Sequence, residues 1–508
     1  MNKRLRHSLV FTLLSMALPF VAAQEVVRIA QSLAQTSLNP AESSGLADAT
    51  VIRTMFEGLV GFDETLEVVP ELATSWEISD DATTYTFTLR EGVSFHDSTP
   101  FNAEAAKAYF DWVLEPEGIG SRGRSALTGV ESIEVLSPTE LRFTLGAPNS
   151  AFLFNLALSN TRIASPASLD EYGDDVGRNP VGTGPFRFVE WQDGVRIVVE
   201  AFGDYWGEPA QVDGLEFLIV TNAATRVAQL QSGEVQFIEA LPSQLVEPLE
   251  AAPNLEIVVQ ESTFARTFQM NTSQAPFDDV RVRQALNYAV DKEQLINVVF
   301  RGYGTVMTSP IPETVFGHAP QEPYAYDPER ARQLLDEAGY GDGFSFEVLT
   351  FTGDEYSAAG QVLQQFFADV GVEMQLDPAE RGALNDQIFL PIEENPTQAA
   401  LVGASTATGD ADRALTVSFS RDSWPPDSNN WSFYENAEVD SLIQAGRTTL
   451  DQDERAAAYA QAQEIIWNDA PWVFLYSPNT LAGQVSNLEG VFYMPDQTVD
   501  ARRANLTQ

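Results

Sequence analysis

Three successive stretches constrain this chain more tightly than any other feature: FSFEVLTF, SAAGQVLQQFFADVG and VEMQLD. The first and last are apolar or alternating over strand length, and the middle one repeats its apolar residues at helical spacing. A strand, a helix and a strand in that order form a crossover unit, which sets both strands parallel in one sheet. The second half of the chain therefore calls for an α/β architecture with a partly parallel sheet. Local signals extend the pattern. In FDDVRVRQALNYAV, residues Val282, Ala285, Leu286, Ala289 and Val290 share one helical face, and Asp278 or Asp279 can cap its start. DKEQ opens the next helix with Asp291 and Gln294 at capping-box spacing. In YDPERARQLLDEAGYGDG, Asp327 caps, Pro328 fits the first turn and Gly339 ends the helix.

The first part of the chain is richer in strands. VVRIAQ leads into the polar loop SLAQTSLNP, and TYTFTLR puts Tyr85, Phe87 and Leu89 on one face of a half-buried strand. Asn102 caps a helix in FNAEAAKAYFDWVL, LRFTLGAP and RIVVEAF are further strands, and PVGTGPF is a turn-rich connector. Later, QAALVG reads as a buried strand with ASTATGDADRAL leaving its carboxyl end. In open α/β sheets ligands gather in the crevice outside such ends. Asp410 and Asp412 lie in that loop among small residues. Either they cap the helix beginning near Asp412, or they await a positive group.

Length and composition bound the rest. At 508 residues the chain exceeds one core and divides into two or three domains. Lys3, Arg4 and Arg6 followed by LVFTLLSMALPFV read as a secretion signal over residues 1–23, cut before Gln24. The expectation is an exported, extracytoplasmic and periplasmic protein. The net charge of −44 repels nucleic acid and anionic lipid, which need basic patches. With no cysteine and three scattered histidines, no disulfide, thiolate site or zinc-type ligand spacing exists. No metal and no cofactor are expected.

Several stretches, in order along the chain, resemble the large extracytoplasmic solute-binding proteins of ABC importers, in the family that takes peptides, nickel chelates and related solutes. They are LREGVSFHDSTPFNAEAAKAYFD, NPVGTGPFRFVEW, DYWGEPAQVDGLEF, PFDDVRVRQALNYAVDKEQLI, YDPERARQLLDEAGYGDGF and AQEIIWNDAPWVFL. STATGDADRAL, SWPPDSNNWSFYENAEVDSLI and GVFYMPD are similar to its glutathione-binding subgroup. The resemblance implies a two-lobed periplasmic-binding-protein fold of the cluster C type, α/β with mixed sheets. Lobe I would span 24–265, with an extra subdomain over roughly 64–180, and lobe II 266–480. Residues 481–508 would return to lobe I. The function it implies is capture of glutathione or a similar small peptide between the lobes and delivery, as a monomer, to a membrane permease. Ala404 departs from the family's usual aromatic residue, and Arg413 from the subgroup's tryptophan.

A zwitterionic peptide enclosed in a cleft loses water from each charge, so each end needs a partner. The resemblance gives the ammonium to Asp410 or Asp412, with Ser405 and Thr408 in the same small-residue loop. Arginine suits a carboxylate because its planar fork binds both oxygens. Arg266, in STFARTFQMN where the chain crosses between lobes, is the first choice, and Arg413 a local replacement; a structural ion pair is the alternative for Arg266. Trp424 and Tyr434 would supply aromatic area, and Thr36 and Ser37 hydroxyls from the first lobe. Two other readings compete: a di- or oligopeptide binder of the same family, and a secreted hydrolase. For the hydrolase no G-x-S-x-G elbow, H-E-x-x-H helix or P-loop is present.

Overall fold

The computed structural model describes residues 25–43, 45–116, 118–405 and 408–507. The expected secretion signal lies outside the described residues. Two mixed β-sheets, each packed against helices, form two lobes. The crossover expected from sequence is present: Phe344–Phe351 and Val372–Ala379 pair parallel from Phe344 opposite Val372 to Phe351 opposite Ala379, and the helix Asp354–Asp369 joins them. The buried strand Ala399–Ser405 lies parallel to Phe344–Phe351 on one side and antiparallel to Phe264–Met270 on the other. Trp472–Pro478 and Gly304–Val306 complete this six-stranded sheet of the second lobe.

The first lobe is built on a seven-stranded sheet with Val26–Gln31 at its centre, parallel to both Gly214–Ile219 and Phe237–Ile238. A separate four-stranded antiparallel sheet, drawn from residues 73–145, contains the alternating strand Thr84–Leu89. Its Tyr85, Phe87 and Leu89 are all buried. Phe143 packs edge-on against Phe87 at 5.8 Å and Phe110 at 5.2 Å between ring centroids. Each such buried ring contributes about 1.5–3 kcal/mol relative to exposure.

Helix starts follow the sequence because capping is a local matter. Asn102 accepts from the Ala105 amide, Asp279 from Arg281, Asp291 from Gln294 and Asp327 from Arg330. Gly339 closes the last of these helices at φ +88°, a left-handed turn that glycine takes without a Cβ clash.

The chain passes between the lobes twice. It leaves the first sheet after Leu255–Gln260 and enters the second at Phe264; it returns through Asn479, between Trp472–Pro478 and Thr480–Val485. The crossings are tied together by buried hydroxyls. Ser262 Oγ donates to the Pro478 carbonyl at 2.7 Å, and Ser477 Oγ to the Ser262 and Phe264 carbonyls at 3.0 and 2.8 Å. The lobes also touch away from the crossings, where the Ser150 amide donates to the Arg447 carbonyl at 2.9 Å.

Candidate functional site

Beside the crossings a cavity of about 620 Å³ opens between the lobes. Ser32, Leu33 and Glu239 face it from the first lobe, Arg266, Phe300 and Glu355 from the second, and Asn479 from the return crossing. Its volume falls within the range of small-molecule sites, about 300–1,000 Å³. Ser32 and Glu239 each follow the carboxyl end of one of two parallel neighbouring strands, Val26–Gln31 and Phe237–Ile238. That places them where ligands collect on such sheets.

Arg266 comes from the middle of Phe264–Met270, between Ala399–Ser405 and Trp472–Pro478. Its Nε donates to Glu355 Oε1, and its guanidinium lies over the rings of Phe264 and Tyr356 at 4.8 and 5.0 Å. Burial pushes its pKa down, but the Glu355 charge and hydrogen bond together with the nearby Tyr356 and Tyr476 more than reverse this and hold it above the ordinary arginine value. The arginine is therefore a fixed cation. A Cβ at Gly403, on the paired strand, would stand 2.7 Å from Arg266 Nη1, so this position needs glycine for the arginine to lie across it. Nη1 itself is buried and has no hydrogen-bond partner among the described residues. A buried N–H without a partner is costly, and a ligand oxygen would relieve it.

A family model described as bacterial extracellular solute-binding proteins, family 5 Middle, matches residues 67–439. The chain belongs to this family. As a family 5 protein it is a binding protein and not an enzyme. It is 37% identical over 498 residues to the glutathione-binding protein GsiB of Pectobacterium atrosepticum, covering 97% of this chain and 96% of that one. It is 37% identical over 486 residues to GsiB of Salmonella typhimurium, covering 94% of each. Among solved structures, the periplasmic binding protein DppA from Helicobacter pylori in complex with peptide STSA superposes with a TM-score of 0.82 at 29% identity, covering 96% of this chain and 99% of that one. HbpA2 from Haemophilus parasuis gives a TM-score of 0.85 at 26% identity, covering 95% and 100%.

Of the ten residues singled out from sequence, Arg266 lines the cavity of this family 5 protein. The two aspartates of the loop that follows Ala399–Ser405 face arginines of the chain itself. Asp410 caps the helix Ala411–Phe419 by accepting from the Asp412 amide at 2.8 Å, and takes two bonds from Arg455 Nη2 at 3.0 and 2.9 Å. Both partners are out of solvent. Burial raises the Asp410 pKa to about 6, Arg455 pulls it back only in part, and Asp412 adds to the rise. Asp412 receives Arg447 Nε at 2.9 Å and Nη2 at 3.1 Å. Both carboxylates thus have cations already, and the capping alternative read from sequence describes Asp410.

The others are dispersed. Ser405 ends its strand opposite Phe264. Thr408 is buried, and its hydroxyl has no partner among the described residues. Arg413 is exposed on the helix that Asp410 caps. Trp424 donates to the Tyr434 carbonyl at 3.0 Å, and the Tyr434 hydroxyl to Asp469 at 2.8 Å, within the second lobe. The Thr36 hydroxyl donates to Asp48 at 2.8 Å, and Ser37 Oγ accepts from the Asn39 amide at 3.1 Å. The cavity residues that sequence reasoning passed over, Glu239 and Glu355, each follow a strand of the cavity wall: Glu239 directly, Glu355 in the first turn of the crossover helix.

Proposed function

We propose that this protein is the extracytoplasmic solute-binding component of an ABC importer, and that it captures glutathione or a similar small peptide in the interlobe cavity. It is exported by its cleaved amino-terminal signal, acts as a periplasmic monomer and hands its ligand to membrane permease subunits. The observation that carries the reading is Arg266: a permanently charged guanidinium in the cavity wall whose buried Nη1 amino group is unspent among the described residues. A guanidinium so placed matches a carboxylate, which every free peptide carries. The names of the GsiB relatives and the peptide bound in the DppA structure support the same ligand class. Ligand contacts made from both lobes favour the closed form, which a permease can distinguish from the open one.

Calorimetry on ligand-stripped protein tests this. The expected result is micromolar affinity for glutathione, equivalent to about −8 kcal/mol, and weaker binding of unrelated di- and tripeptides. Glutathione recovered by mass spectrometry from the purified protein is the accompanying expectation. A dipeptide preferred over glutathione would move the ligand to the di- or oligopeptide class. No binding of any peptide at millimolar concentration would overturn the reading.

A further inference from the structure

Glu239 is a buried carboxylate in the cavity wall, 7% exposed, with no cation bonded to it among the described residues. It accepts from the Ser32 amide at 2.8 Å and the Ser32 hydroxyl at 3.0 Å, both on Oε1. The Gln31 side chain also stabilises the carboxylate, and no arginine or lysine is bonded to it among the described residues. The nearby Arg226 is itself buried, yet it spends its donors on backbone. Nε donates to the Glu239 carbonyl at 3.2 Å, Nη2 to the Ala240 carbonyl at 2.8 Å, and Nη1 to the Val220 and Thr221 carbonyls at 2.7 and 3.1 Å. This arginine shapes the turn and leaves the carboxylate free. The turn is strained as well: Ala240, also in the wall, has φ +48°. A left-handed residue with a Cβ costs about 1–2 kcal/mol, and such strain is kept where a side chain must be aimed.

A carboxylate taken out of water without a cation is unfavourable. Burial accordingly pushes the Glu239 pKa above the ordinary carboxylate range, and the hydrogen bonds from Ser32 and Gln31 and the Arg226 charge offset only part of this. Across the cavity, Glu355 is already bonded to Arg266, and its side chain is 33% exposed. Asp410 and Asp412 have Arg455 and Arg447. Glu239 is thus the carboxylate of the wall with no bonded cation among the described residues.

We infer that Glu239 is the residue that selects the ligand's ammonium group, so that the ligand lies with its cationic end on the first lobe and a carboxylate on Arg266 of the second. The inference rests on the peptide-binding reading above and adds a direction to it. A ligand spanning the two charges bridges the lobes electrostatically. Peptides whose amino group is blocked are discriminated against, because they leave the buried carboxylate unpaired.

The test uses the full-length mature protein and two pairs of probes: glutathione with N-acetylglutathione, and a dipeptide with its N-acetyl form. Wild type should prefer the free amine in whichever pair it binds. In Glu239→Gln the free-amine affinity should fall about tenfold, the acetylated affinity should change less than twofold, and the preference should collapse. Glu239→Asp, which keeps the charge on a shorter arm, should retain part of it. Melting of the ligand-free variants checks that the lobes still fold. An undiminished preference for the free amine in folded Glu239→Gln overturns the assignment while leaving the peptide-binding reading intact. Failure of wild type to bind any of the four probes overturns both.

Discussion

Arg266→Ala should weaken peptide binding about a hundredfold or more while leaving the ligand-free fold close to its original stability. Truncating one partner of a desolvated, hydrogen-bonded charge pair costs about 2–5 kcal/mol, and about 1.4 kcal/mol is a factor of ten. The fold should tolerate the change because the partner left behind, Glu355, is 33% exposed and can be hydrated. Arg266→Lys keeps the charge but loses the fork. One ammonium would then have to serve both Glu355 and the ligand from the place where a planar group now lies between Phe264 and Tyr356 and across Gly403. An intermediate loss, about tenfold, is expected for it. Calorimetry with glutathione and the dipeptide panel measures both variants, and thermal unfolding of ligand-free protein supplies the control. Unchanged affinity in Arg266→Ala would remove the arginine from the site.

The parts of the fold legible in sequence are those decided by neighbours along the chain. Asn102, Asp279, Asp291 and Asp327 cap helices because an acceptor two or three residues ahead of an unpaired amide suffices. The crossover from Phe344 to Ala379 is equally local, since apolar period and length alone distinguish its strands from its helix. Charge pairing is different. Asp410 meets an arginine 45 positions away and Asp412 one 35 away, on two different helices. With 73 acidic residues in the chain, nothing in the string marks which carboxylates are spent on arginine and which remain free. The rule that drew attention to residues 404–415, a loop leaving the carboxyl end of a buried strand, applies equally to Glu239. Its strand is only Phe237–Ile238, too short to show a period, so the rule had nothing to grip. Arg266, which lines the cavity, could be singled out because it combined a charge with an expected crossing between lobes.

Arg455→Met should cost about 3–5 kcal/mol at pH 7.5, the usual effect of removing one member of a buried ion pair. In a protein of this size that is a fall of roughly 3–5 °C in Tm. Methionine keeps an apolar stem of similar length and removes the guanidinium, with its two bonds to Asp410 and its place over the Phe316 and Tyr459 rings. The deficit should depend on pH with a definite sign. Burial already lifts Asp410 from 3.8 to about 6 with the arginine present, and without it the folded-state value rises further. A carboxyl whose folded pKa exceeds its unfolded one binds protons more readily in the native state. Stability from this group is therefore lowest above the folded pKa and recovers as pH falls through it towards the unfolded value. Chemical denaturation of Arg455→Met should accordingly show a smaller deficit against wild type at pH 5 than at pH 7.5. Asp410→Asn combined with Arg455→Met should remove most of the pH dependence, since the charge left unpaired is then gone. Peptide affinity, measured well below the lowered Tm, should remain near wild type in both variants, because this pair closes the second lobe outside the cavity that Arg266 and Glu239 face. A selective loss of affinity for ligands with a free amino group, with Tm unchanged, would instead return Asp410 to the binding site.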